Sequence, residues 1–202
     1  LYELDSLETV VGSRVNTILH VCVGVGEFAA VFTSVLPVLN ALGHKELIVH
    51  PTSASQNVGT QHEVLLAAAK YWIPILTDNG VVVYFENNSR LEPVLQTVEE
   101  IGSFFGAFPQ TRFLLDVAHM DSYEHLQQLV KTRMPEMLHV ADRHLDVVHE
   151  HLAVSSGNIN FSEVFGKCLV GFQGRIIFEV PWEPSARLLS KRAIERVVAD
   201  CH

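Results

Sequence analysis

Six short apolar runs, rich in β-branched residues, recur along the chain with helix-period stretches between them. The runs are Thr17–Val23, Glu46–His50, Val81–Glu86, Arg112–Asp116, Met137–Ala141 and Arg175–Val180. The intervening stretches are Glu27–Leu42, Gln61–Leu76, Leu91–Phe105, Tyr123–Arg133 and Phe161–Val170, and Ser185–Val198 follows the last run. Strands that read as continuous apolar runs are buried on both faces, which is the condition of a parallel sheet covered by its crossover helices. The alternation predicts an α/β fold, either a barrel or an open doubly wound sheet. Turn residues fall where that reading needs them: Gly43 after a helix, Asp78-Asn79-Gly80 before a strand, and Gly171 to Gly174 before the last strand. No composition break or low-complexity linker divides the chain, so residues 1–202 are expected to form a single domain.

A complete eight-unit barrel typically takes about 250 residues, and this chain has 202. A net charge of −9 gives no global basic field for a phosphate backbone, so nucleic acid is an unfavoured partner. Cys22, Cys168 and Cys201 are scattered and odd in number, without a CxxC pair, which points to a reducing, cytoplasmic setting. The most apolar segment, Ile18–Leu42, contains His20, Glu27, two glycines and Pro37 and reads as strand, loop and helix, not as a membrane span. No basic n-region with a small-residue cleavage site is seen. Asn87-Asn88-Ser89 and Asn160-Phe161-Ser162 match the glycosylation triplet, a pattern that arises often by chance. The opening residues Leu4, Leu7, Val10 and Val11 read as a helix.

Each apolar run ends at or close to a metal-type ligand: His20, His50, Glu86, Asp116, His139 and Glu179. In parallel β/α folds the carboxyl ends of the strands line one face, and that face carries the site. Taken singly, each residue has a structural explanation, such as Asp116 capping the helix that follows it. Capping does not explain why a ligand type closes every strand. Three carboxylates brought that close repel one another unless a cation neutralises them, and neutral imidazoles complete such a shell.

Four fragments carry a family resemblance: Val82-Val83-Tyr84-Phe85-Glu86-Asn87, Phe113-Leu114-Leu115-Asp116-Val117-Ala118-His119, Leu138-His139-Val140-Ala141-Asp142 and Ile176-Ile177-Phe178-Glu179. In this order they resemble motifs of the xylose isomerase-like TIM-barrel superfamily, which holds sugar and sugar-phosphate isomerases and epimerases and the endonuclease IV group of apurinic-site nucleases. The stretch from His149 to Phe161 is similar to a loop of that family. The resemblance implies a (β/α) TIM-type barrel lacking its first one or two β/α units, since none is found before His20. It implies a divalent metal (Mn, Mg, Co or Zn) on Glu86, Asp116, His139 and Glu179. In the epimerase branch Glu86 and Glu179 would also move the proton beside a substrate carbonyl. His20, His50, His119, Arg143, His149 and His151 are candidates for a second metal or for substrate contact.

The expected activity is therefore that of a metal-dependent isomerase or epimerase on a sugar or sugar phosphate. The alternatives are an apurinic-site endonuclease-like zinc hydrolase and a non-catalytic barrel. Val147 stands where the nuclease branch has an aspartate two residues before the histidine matched by His149, and His50-Pro51 is followed by Thr52-Ser53 in place of that branch's Gly-Ser. Both departures weigh against the nuclease. Apolar surface left by absent barrel units would favour homo-oligomers. The remaining histidines, His44, His62, His125, His144 and His202, are expected to be solvated surface groups.

Overall fold

A computed structural model describes residues 18–43, 45–53, 61–181 and 183–201. The opening helix expected around Leu4 to Val11, and His44 and His202, lie outside these residues. Six parallel strands form one sheet in strict chain order: β1 Leu19–Gly24, β2 Glu46–Thr52, β3 Val82–Glu86, β4 Arg112–Asp116, β5 Met137–Val140 and β6 Arg175–Phe178. The helices are α1 Phe28–Leu42, α2 Gln61–Asp78, α3 Val98–Ala107, α4 Tyr123–Thr132, a short α5 Phe161–Glu163 that widens into a π turn Val164–Cys168, and α6 Pro184–Asp200. All six expected strands are present. Sequential parallel order with a crossover at every step is the wall of a β/α barrel.

Two helices depart from the sequence reading. α3 starts at Val98, seven residues later than expected, because Pro93 and Leu95 (φ 53°) hold the preceding residues out of helix. Thr97 then starts the helix with a capping box, its side chain accepting from the Glu100 amide while the Glu100 side chain accepts from the Thr97 amide. The expected helix over Phe161–Val170 is only one α turn followed by the π turn. Gly43 closes α1 in the left-handed conformation (φ 65°), the αL cap that a glycine takes without strain.

Strand parity sorts the side chains. Leu47, Val49, Val83, Phe85, Phe113, Leu115, Leu138 and Val140 face outward into the main core, against Phe28, Phe32, Leu65, Ile73, Phe104, Leu126, Val164 and Ile194 of the helical layer. The opposite parity faces the interior, where Ile48, Tyr84, Leu114 and Met137 form a small apolar layer.

The sheet is strongly curled. Flat strands four places apart would stand roughly 19 Å from each other. Yet Arg175 of β6 donates to both oxygens of Glu46 of β2, at 2.8 and 2.6 Å, and to the Tyr84 hydroxyl. Arg112 also donates to that hydroxyl. These four residues make a polar floor at the amino ends of the strands, the apolar layer lies above it, and the His, Asp and Glu side chains form the top.

Candidate metal centre

The strand register explains how six distant residues meet. His20 pairs with Ile48, two residues short of His50, and Cys22 pairs with His50. The β2–β3 register sets His50 level with Glu86. Glu86 pairs with Leu114, two short of Asp116; Asp116 pairs with His139; and His139 pairs with Ile177, two short of Glu179. The ladder of these side chains thus climbs two residues at every second interface, about one per strand, which is the stagger that tilted barrel strands require. An even climb keeps every ligand on the inward parity. His20 and His50 sit before the ends of their strands, which continue to Gly24 and Thr52. That placement is what levels them with Glu86 on a tilted wall.

The four residues Glu86, Asp116, His139 and Glu179 each offer a ligand atom within 4.8 Å of the others. His139 Nδ1 lies 3.2 Å from Glu86 Oε1 and 3.1 Å from Glu179 Oε2. Asp116 divides its two oxygens. Oδ1 caps the 3-10 turn Val117–His119 by accepting from the Ala118 amide at 2.7 Å, and Oδ2 turns into the site, 3.7 Å from His119 Nε2 and 3.5 Å from His151 Nε2. One oxygen of Asp116 thus serves the cap and the other faces the cluster.

Two asparagines that sequence reasoning passed over hold the histidines. Asn88 Oδ1 accepts from His50 Nε2, which leaves Nδ1 with its lone pair, 3.5 Å from Glu86 Oε2. The Asn87 carbonyl accepts from His119 Nδ1 at 2.9 Å, leaving His119 Nε2 as the free donor atom, while Asn87 Oδ1 accepts from the Asp116 amide. Asn87, Asn88 and Ser89 are all buried, so this triplet presents no acceptor at the surface.

His149 and His151 come from the loop after β5 and face His119, the three forming a second ligand group. The rings of His119 and His149 stack at 4.8 Å. The His149 and His151 rings lie 5.4 Å apart, whereas Val147 is exposed. Asp142, buried at the loop's neck, holds it shut: Oδ1 accepts from the amides of Arg143 and Ile159, and Oδ2 from those of Ser155 and Gly157. Any side chain at 157 would collide there, since a Cβ would lie 2.4 Å from the Arg143 carbonyl oxygen. Arg143 lines a small cavity beside His119. Its terminal nitrogens donate to the carbonyls of Met120, His144, Leu145 and Val147, so its charge is spent on shaping the loop. His62, His125 and His144 also lie outside the cluster, bonded to Ser103, Gln96 and Glu150.

His139 and the carboxylates around it balance one another's charge. Burial opposes the charge on Glu86, but the hydrogen bond from His139 and the close approach of His20 outweigh it and hold the carboxyl well below its usual range. Glu179 is brought down to about 2, burial again being overcome by His139. Asp116 is pushed up to about 7, chiefly by burial. His139, desolvated yet clamped by Glu179 and Glu86, rises to about 11. Burial lowers His119, and burial with His119 as neighbour lowers His149, so both imidazoles are neutral and available as ligands.

Of the eight buried side-chain atoms without a hydrogen-bond partner among the described residues, six belong to this cluster: His20 Nε2, Glu86 Oε2, Asp116 Oδ2, His119 Nε2, His151 Nε2 and Glu179 Oε2. Each such atom costs about 1–3 kcal/mol if nothing satisfies it. Six in one chamber, three of them carboxylate oxygens, fit divalent cations in donor type and in charge.

Comparison with known proteins gives a consistent picture. A family model described as "Xylose isomerase-like TIM barrel" matches residues 26–199. No curated protein sequence matches the chain. Among solved structures, a D-tagatose 3-epimerase-like protein superposes with a TM-score of 0.78 at 17% identity, covering 98% of this chain and 84% of that one. An L-ribulose 3-epimerase gives 0.73 at 12% identity, with 99% and 81% covered. The IolI protein with a bound zinc atom gives 0.67 at 15% identity, with 97% and 80% covered. No helix among the described residues is long and apolar enough to cross a membrane.

Proposed function

The chain belongs to the xylose isomerase-like TIM-barrel family, and from that premise we propose that it is a divalent-metal-dependent isomerase or epimerase acting on a sugar or sugar phosphate. The observation that carries this reading is the pair of ionised glutamates, Glu86 from β3 and Glu179 from the end of β6, that flank His139 at 3.2 and 3.1 Å. Inverting a carbon beside a carbonyl requires one carboxylate to take the proton and another to return it from a different side.

Glu86, Asp116, His139 and Glu179 would hold the metal. Bound there, the ion would polarise the substrate carbonyl and so acidify the neighbouring C–H. Glu179, on the open side of the chamber, and Glu86, at its base, are the two proton carriers. His139 orients both carboxylates, and Asp116 Oδ2 is fixed by the cap that its other oxygen makes. Similarity to sugar 3-epimerases supports the substrate class, and the zinc-bound IolI protein supports the metal.

The test is incubation of the Mn- or Co-loaded protein in deuterated water with a panel of ketoses, aldoses and their phosphates. Deuterium entering the carbon beside the carbonyl, together with appearance of the epimer or isomer, is expected. It should be lost in Glu86→Gln and in Glu179→Gln. A loaded, folded protein that exchanges no substrate proton across the panel refutes the proposal and leaves a non-catalytic barrel. The group His119, His149 and His151 favours a second reading, a multi-zinc phosphodiester hydrolase. Cleavage of a duplex carrying an abasic site would establish that reading instead.

A further inference from the structure

The inward parity of β1 carries one more donor. Cys22, two residues after His20 and paired in register with His50, stands on the same face as both histidines. Ligand atoms of His20, Cys22 and His50 all lie within 4.8 Å of one another. Of the three cysteines, Cys22 is exposed and free, whereas Cys168 is buried and Cys201 half-buried, both near the far helices α5 and α6.

Glu86 Oε2 faces this group from below. It is fully buried, makes no hydrogen bond, and lies 3.2 Å from His20 Nε2 and 3.5 Å from His50 Nδ1. His20 Nε2 is likewise buried and unbonded. Donors held about 2.0–2.3 Å from a tetrahedral ion stand about 3.3–3.8 Å apart, and the two separations to Glu86 are close to this. Asn88 already fixes the His50 tautomer that presents Nδ1 inward.

We infer that His20, Cys22 and His50, with Glu86 Oε2 as fourth donor, form a thiolate-containing metal site of their own, selective for a thiophilic divalent ion such as zinc. The carboxylate-rich centre beside it suits hard ions such as Mg or Mn as well as zinc. A sulfur and two imidazoles do not, because a thiolate is a soft ligand. Glu86 spans the two positions, one oxygen toward His139 and the other toward His20. The chain is thus built to hold two ions of different character side by side, with Cys22 setting the identity of the outer one. This inference does not depend on the proposed activity; a chain without epimerase activity would carry the same site.

Cobalt titration of the metal-free full chain tests it, because a cobalt–thiolate bond gives a near-ultraviolet charge-transfer band that oxygen and nitrogen ligands do not. The wild type is expected to show the band. Cys22→Ser should lose it together with one equivalent of bound ion, while keeping the wild-type circular dichroism. Asp116→Ala should retain the band while losing an equivalent from the other centre. No band at saturating cobalt, or a band that survives Cys22→Ser, overturns the assignment. A band in a protein that processes no sugar leaves the site standing and removes only the proposed activity.

Discussion

Asp142 is the residue whose loss should separate the loop from the barrel. Its carboxylate accepts four backbone N–H groups, two on each oxygen, at 2.8–3.0 Å. In Asp142→Asn one oxygen becomes an NH2 group. Whichever way the amide turns, two backbone donors then face a donor. A hydrogen bond to a charged acceptor is worth about 1.5–3 kcal/mol, so closure of the loop loses about 3–6 kcal/mol. That is a large share of a domain's whole stability, about 5–15 kcal/mol. The segment can open on its own without unfolding the sheet, so the loss should appear as local opening. Hydrogen exchange at the amides of Ser155, Gly157 and Ile159 should accelerate by about 10²- to 10⁴-fold, since 1.4 kcal/mol is a factor of ten. Core amides such as Leu115 should change far less. Loop exchange that rises by less than tenfold, with the fold intact, would refute the view that this carboxylate is what holds the loop shut.

In chelator, stability should fall as pH rises from 6.5 toward 9. His20 and His50 are each raised to about 9, burial being outweighed for His20 by Cys22 and Glu86 and for His50 by Cys22, Glu86 and Asn88. A base with a raised folded pKa stabilises fully below its unfolded value near 6.5 and loses that stabilisation through its folded value. A thermal midpoint flat or rising across that window would contradict the assignment. On the acid side the sign reverses: Glu179, lowered to about 2, stabilises above about 4.5 and gives this up as pH falls toward 2. In the outer core, Phe104→Ala removes a ring packed 4.5 Å from Phe85, 5.3 Å from Phe105 and 5.2 Å from Phe108. It should cost about 3–5 kcal/mol by urea denaturation, and a loss below about 1.5 kcal/mol would show that the site repacks.

What was legible in the sequence was whatever repeats with the strand. The six apolar runs and the ligand near the end of each follow from periodicity, and all six residues do meet. Cys22 was also within reach of that logic, since a residue two after His20 shares its face. It was passed over because cysteines were read for pairs and not for parity. The start of α3 was misplaced because Leu91 to Leu95 keep an apolar rhythm although Pro93 and Leu95 break the backbone. The parts played by Asn87, Asn88 and Asp142 were not legible. Their partners are backbone groups and ring nitrogens that only the folded chain brings near, and no side-chain pattern encodes backbone donors. The charge of Arg143 is visible in sequence, whereas the four carbonyls that its terminal nitrogens bond are not.

The even climb of the ligand ladder bears on how such a chain tolerates length changes. Inserting or deleting one residue within β2, β3, β4 or β5 would exchange inward for outward positions over the rest of that strand. Glu86 or His139 would then point into the helical layer and a core aliphatic into the chamber. A two-residue change keeps parity and only raises or lowers a ligand by about 6.6 Å. Descendants of this barrel should therefore accumulate single-residue length variation in their loops and tolerate it almost nowhere in their strands. A chain with an odd strand indel should have lost the convergence of these side chains while remaining recognisably a barrel.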